Sequence, residues 1–267
     1  MGFEPIFGKH AIERCGLTLS FNQPLPDKAF GKLLADTTDR IGAEAGLTKT
    51  QRPTFGIKID LKTQSVSQEN VQPPATFSTP DDSIQMILMP EAIVWLTTNY
   101  IRWPPFINQF KTVADDILNT YLDALTPTSI RLEYWDRFIW SGTWEDMKPS
   151  ELIRPDSQCH VPHALKAKRE WHSHAGWFKY FDQPQTGIRR QLTNINIDAI
   201  SATRKIDGVE KPSIGIYTMM QNEGTAETKV AIFEQLNELH FELLKLFEEV
   251  VTPNTADQIG LKTGVSK

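Results

Sequence analysis

Apolar residues recur along this chain at two spacings, three-to-four and strictly two, and the changes between them mark the elements. After Trp103-Pro104-Pro105, the residues Phe106, Phe110, Val113, Ile117, Tyr121, Leu122 and Leu125 fall on one helical face. Pro104 or Pro105 suits the first turn, where an N–H has no intrahelical acceptor. The stretch Glu91 to Leu125 therefore predicts a strand, a sharp turn and a long amphipathic helix. A second such helix is predicted from Glu227 to Val251, with Val230, Phe233, Leu236, Leu239, Leu243, Leu246, Phe247 and Val250 inward and Thr252-Pro253 as its stop. A shorter helical pattern from Asp27 to Ala45 carries Phe30, Leu33, Leu34 and Ile41.

Period-two alternation predicts the strands. Ala11 to Phe21 is one, with Ile12, Leu17 and Leu19 inward; Phe55 to Leu61 alternates cleanly; Ile84 to Leu88 and Ala92 to Tyr100 flank a turn at Met89-Pro90-Glu91. Later strands are expected over Ile130 to Trp140, Glu170 to Asp182, Ile188 to Ile200 and Pro212 to Met220. Lys62 to Pro80 is polar and proline-containing and reads mostly as loop. Thr143 or Ser150 is expected to cap a short helix, and Asp207-Gly208 and Asn222-Glu223-Gly224 are turn or cap signals.

Residues 1–126 and 127–267 can each be written as strand, helix, several strands and long helix. This predicts an α+β fold of two pseudo-duplicated units, with a mainly antiparallel sheet and the long helices packed on one face. Two such units side by side could share one curved sheet, as in the TATA-binding saddle or helix-grip folds; that comparison is one of element order and carries no function. Composition adds direction. A net charge of −5 without a Lys/Arg block counts against a dedicated nucleic-acid binder and suits a protein partner. Cys15 and Cys159 make no disulfide framework, the N-terminal stretch lacks the apolar run of a signal peptide, and no stretch reaches transmembrane length. A cytoplasmic protein with no membrane partner is the expectation.

Several segments carry a resemblance: Ala11 to Phe21, the Tyr100-Ile-Arg-Trp-Pro-Pro-Phe106 turn, Ile130 to Phe138, and the Ile214 to Met220 strand followed by the helix and short tail from Leu239 to Leu261. From about Ala11 to Leu261 the chain resembles a sporadically distributed family of uncharacterised bacterial proteins of about this length. Arg131-Leu-Glu-Tyr-Trp-Asp136 matches the family's expected strand in part. The resemblance implies no activity for any residue, and the family's patchy distribution implies toxin neutralisation or phage defence.

Three groups of residues are candidates for chemistry. Cys159, His160 and His163, followed by His172 and His174, offer ligands that zinc accepts, the last two on one side of a strand. No standard metal spacing is matched, so no cofactor is expected and zinc is an alternative. Glu133, Asp136, Glu145 and Asp146 cluster along and after one strand, where Asp136 and Asp146 would have to converge for acid–base or magnesium chemistry. Arg102, Arg131 and Arg137, with Arg189 and Arg190, interleave with Trp103, Trp135, Trp140, Trp171 and Trp177. Arginine with tryptophan serves both protein hot spots and base-stacking surfaces. His240 falls at the edge of an apolar helix face, where a satisfied boundary histidine is expected. No nucleophile elbow or phosphate-binding glycine loop occurs. The reading is a non-enzymatic protein-interaction module, with a nucleic-acid accessory protein or a metal-dependent enzyme as alternatives.

Overall fold

A computed structural model describes residues 2–50, 57–60, 65–68, 74–167, 170–182, 184–199, 203–206 and 209–261. The first half runs β1 (Phe3–Pro5), β2 (Ile12–Phe21), α1 (Asp27–Ala45), β3 (Thr48–Thr50), β4 (Ile57–Asp60), β5 (Ser65–Gln68), β6 (Ala75–Ser78), β7 (Ile84–Met89), β8 (Ala92–Thr97) and α2 (Trp103–Ala124). The second runs β9 (Pro127–Trp140), β10 (His172–Tyr180), β11 (Ile188–Asp198), β12 (Thr203–Ile206), β13 (Val209–Gly224), α3 (Lys229–Val250) and α4 (Pro253–Gln258), with one 3-10 turn at Pro149–Glu151. The result is an α+β fold with a large antiparallel sheet in the order β10-β11-β13-β9-β2-β8-β7-β6-β3; β1 adds to β9 and β12 to β13.

The sheet turns on β9, which pairs with β2 on one side and β13 on the other. Its even positions Ile130, Leu132, Tyr134, Asp136, Phe138 and Trp140 are buried, whereas the odd positions Arg131, Trp135 and Arg137 are half-buried. Directly opposed residues point to the same side, so Leu132, Leu17 of β2 and Trp95 of β8 share a face. The Phe110 ring of α2 lies 6.1 Å from Trp95, and Phe247 of α3 stacks 6.3 Å from Phe138. Tyr121 at the far end of α2 stacks on Phe21 and donates its hydroxyl to the Met89 carbonyl at 2.5 Å.

One irregularity shapes both faces of the sheet. Ile12 opposes Asp136, but Arg14 opposes Trp135, so Glu13 is an extra residue in β2, a β-bulge. Side chains alternate in a regular strand, and the bulge shifts that alternation by one. Ile12 consequently stands on the Asp136 side, and Glu13 reaches the opposite side, where its carboxylate pairs with Arg137 at 3.1 Å.

Several expectations are corrected. Within Lys62 to Pro80, expected to be mostly loop, β5 and the wholly buried β6 are strands and β6 joins the main sheet, while positions 62–64 and 69–73 lie outside the described residues. The alternating segment Phe55 to Leu61 yields β4, paired only with β5; its positions 55, 56 and 61 lie outside the described residues. Asn222-Glu223-Gly224 continues β13 rather than turning, and Ile206 opposes Val209 across the expected Asp207-Gly208 turn, itself outside the described residues. The short helix expected after Thr143 or Ser150 is the 3-10 turn Pro149–Glu151, preceded by Lys148, with Ser150 inside it and not at its cap. Thr252-Pro253 does end α3, but Pro253 also opens α4, capped by the Thr252 hydroxyl. Val230 is 66% exposed, because at about 100° per residue it sits some 120° from Leu236, while Ile232 takes the inward place. Among the described residues no helix is long and apolar enough to cross a membrane.

Leu17→Ala, which empties a fully buried site between β8 and β9, is expected to cost about 2–5 kcal/mol. Val230→Ala is expected to stay within about 0.5 kcal/mol. Urea unfolding of both variants checks the assignment, which a comparable loss in the two would overturn.

Candidate functional site: a cavity beside Asp136

The arginine–tryptophan set does not form one surface. Arg131, Trp135 and Arg137 share the odd side of β9. There Glu133 accepts hydrogen bonds from Arg131 and from the Tyr217 hydroxyl (2.7 Å), and Arg14 lies over the Trp135 ring at 4.8 Å. Trp140 is buried on the even side, donating to Asp146 at 2.6 Å, and Trp171 is also buried. Trp177, 43% exposed, alternates onto the opposite side of β10 from Phe178. Arg190 pairs with Glu223 on β13 at 2.7 Å. Arg102 and Trp103 stand apart from all of these, at the start of α2.

The cysteine–histidine tract does not converge either. His172 and His174 are exposed on one side of β10, but Ser173 between them is buried on the other side, where its hydroxyl accepts from the Val161 N–H at 3.1 Å. The loop carrying Cys159, His160 and His163 thus packs against the side of β10 away from the histidine pair. His160 Nε2 donates to the Arg154 carbonyl at 3.0 Å, and burial raises the Cys159 thiol pKa. Among the described residues no three His, Cys, Asp or Glu side chains are placed to hold a metal. Nor do Asp136 and Asp146 meet: Asp146 holds the Trp140 indole and the Thr143 N–H.

Asp136 instead faces a cavity of about 640 Å³ between the start of α2, α3, the segment Ile259 to Leu261 that follows α4, and the central strands. Its walls include His10, Ile12, Tyr100, Arg102, Trp103, Tyr134, Thr218, His240, Leu244 and Phe247. The topology explains the placement. Asp136 is flanked across the sheet by Ile12 and Ile216 and along β9 by Tyr134 and Phe138, all on its own side. Its side chain is 6% exposed and has no hydrogen-bond partner among the described residues. Loss of water around the carboxyl, reinforced by the nearby Glu13 charge, lifts its pKa from the ordinary 3.8 to about 8.

The opposite wall is aromatic and hydrogen-bonded. Trp103 stacks on His240 at 4.4 Å and donates its indole N–H to Asn237 at 2.8 Å; Tyr134 bonds His240 Nδ1 through its hydroxyl at 2.8 Å. Burial pushes His240 down to about 4, lowers His10, and raises Tyr100 and Tyr134. Five titratable side chains therefore line the interior, and every shift favours the uncharged form. Arg102, exposed at the rim, is the only Lys or Arg among the lining residues and Asp136 the only acid.

In size and in its mostly apolar lining with a few convergent polar groups, the cavity resembles small-molecule sites. A neutral carboxyl can both donate and accept a hydrogen bond. The sequence placed Asp136 on a strand but could not bring α3 and the segment Ile259 to Leu261 against it. No protein-family model matches the chain, and no curated protein matches it.

Asp136 should leave a mark on stability. In the unfolded chain it ionises near 3.8; in the folded chain, near 8. Between these values the folded state keeps a proton that the unfolded state has lost, so stability falls as pH rises, by up to about 1.4 kcal/mol per unit, and levels off above 8. The lowered histidines ionise around 6.5 when unfolded, so their opposing slope fades above about pH 7.5 and is common to the parent protein and an Asp136 variant. Asp136→Asn should flatten the fall between pH 6.5 and 8.5 in urea unfolding; an unchanged slope would refute the assignment.

Proposed function

We propose that this chain is a non-enzymatic binding module that holds a small, largely apolar molecule between α2, α3 and the central strands. A hydrogen-bonding group of the ligand meets Asp136. The observation that carries the reading is the unpartnered, 6% exposed carboxyl facing an apolar cavity. A buried polar group without a partner costs about 1–3 kcal/mol, and a ligand that supplies the partner recovers it. Element order supports the same picture. In this reading β2 with β8, β7 and β6, and β9 with β13, β11 and β10, are two copies of one plan, with α2 and α3 on one face. The row Trp95, Leu17, Leu132, Tyr134 and Phe138, met by rings from both helices, favours that arrangement.

A second reading uses the other face of the sheet for a protein partner. Arg131, Arg137 and Arg190 are each paired with a carboxylate, which leaves a surface of Trp135, Tyr217 and Phe178 beside those pairs, with Arg14 laid over the Trp135 ring. Such a surface suits a protein hot spot better than phosphates, which need unpaired cations. An immunity, antitoxin or phage-defence complex is the setting we propose for that partner. Zinc chemistry at Cys159 to His174 draws no support from the placement of those residues.

Titration with the neutral dye Nile red is expected to give saturable one-to-one binding. Leu244→Trp, which projects an indole into the cavity, should weaken it at least about tenfold while the protein stays folded. No binding, or equal binding in the variant, would sink the cavity reading. A 20-base-pair DNA duplex at about 0.15 M salt is expected to show no binding in an anisotropy titration; tight, salt-sensitive binding would restore the nucleic-acid alternative.

A further inference from the structure

We infer that the ligand of this cavity is an amphipathic carboxylate, its carboxylate held at the rim by Arg102 and its largely apolar body inside, where a hydrogen-bonding group of that body meets Asp136; this rests on the cavity reading above. Arg102 is exposed and forms no ion pair among the described residues; its guanidinium donates only to the Lys9 carbonyl, at 3.4 Å. The contrast with Arg131, Arg137 and Arg190, each bonded to a carboxylate, sets it apart. A guanidinium meets a carboxylate through two parallel N–H bonds, a geometry that the exposed Arg102 has open.

The start of α2 adds to the same end of the cavity. Arg102 is the residue before a 22-residue helix, and Trp103, Pro104 and Pro105 of its first turn line the opening. The positive end of the helix dipole favours an anion there. The two prolines, however, remove N–H groups that would cradle a phosphate. What the rim offers is a planar guanidinium in a positive field, which matches a carboxylate more closely than a phosphate.

Inside, the choice of body follows from what lines the cavity. Ile12, Leu243, Leu244, Phe247, Ile259 and Leu261 supply apolar surface, and burying each methylene of a ligand chain against it contributes about 0.8 kcal/mol. Asp136 is the single acidic side chain of the lining and is 6% exposed. Burying a carboxylate head in this apolar lining would cost it its hydration, while the rim offers it a guanidinium partner, so the charged end stays outside and the chain enters.

The test is isothermal titration calorimetry of the full chain with decanoate, decanol and decylammonium, each below its aggregation limit. Decanoate should bind about tenfold tighter than decanol, the scale of one charge-assisted bond, and decylammonium more weakly than either. Arg102→Gln should bring decanoate to the decanol level without lowering the melting temperature. Equal binding of decanoate and decanol, tightest binding of decylammonium, or an unaltered decanoate affinity in Arg102→Gln would overturn the head-group assignment while leaving the cavity reading in place. Failure of all three to bind, or binding indifferent to Leu244→Trp, would overturn the cavity reading itself.

Discussion

A single strand with two opposed chemistries governs this protein. β9 joins the two halves of the sheet, and its fourteen residues alternate between a buried row and a row of ion-paired side chains. Because the side-chain period of a strand is two, a slip of one residue would bury the half-buried Arg131, Trp135 and Arg137 and turn Leu132, Tyr134 and Phe138 out of the core. Both neighbours, β2 and β13, are bound to that register. The hydrophobic effect on one side and the cost of burying charge on the other thus select the same pairing. The cavity and the polar face follow from it.

Within the buried row Asp136 is the exception. A protein selected only for stability would place an apolar residue there, between two isoleucines and two aromatic rings. The carboxyl is tolerated because it gives up its charge: neutral, it needs only a hydrogen-bond partner, a demand far milder than that of an ion. Groups kept against the local pattern are where function is sought. The hydrogen bond from Tyr134 to His240 and the stack of His240 on Trp103 tie that part of β9 to both long helices, so the far wall is held while the carboxyl waits.

Much of the frame was legible in the residues. The helices over Asp27 to Ala45 and from Trp103 announce themselves by period and by proline, and β2, β7, β8, β9 and β11 by alternation. β6 was hidden because Ala75-Thr-Phe-Ser is buried on both sides, which erases alternation, and its polar members sit beneath an edge strand. Val230 misled because an apolar residue near a periodic run need not share its phase. At the site, the separation of the arginine–tryptophan set was readable in principle, since Trp140 and Trp135 differ in parity along β9. The histidine tract is parted for the same reason: a buried Ser173 between two exposed histidines fixes the loop on the other side. The cavity was not readable, because its walls come from residues as distant as His10 and Leu261.

The bulge at Glu13 has a chemical consequence larger than its size. Were β2 regular from Arg14 backwards, Glu13 would fall on the same side as Asp136, and the cavity would hold two neighbouring acids. Such pairs share one proton between them and are a recurrent engine of hydrolysis. The extra residue turns Glu13 outward to Arg137 and turns Ile12 inward in its place. One inserted amino acid thereby separates a solitary acid, suited to holding a guest, from a dyad suited to cutting one.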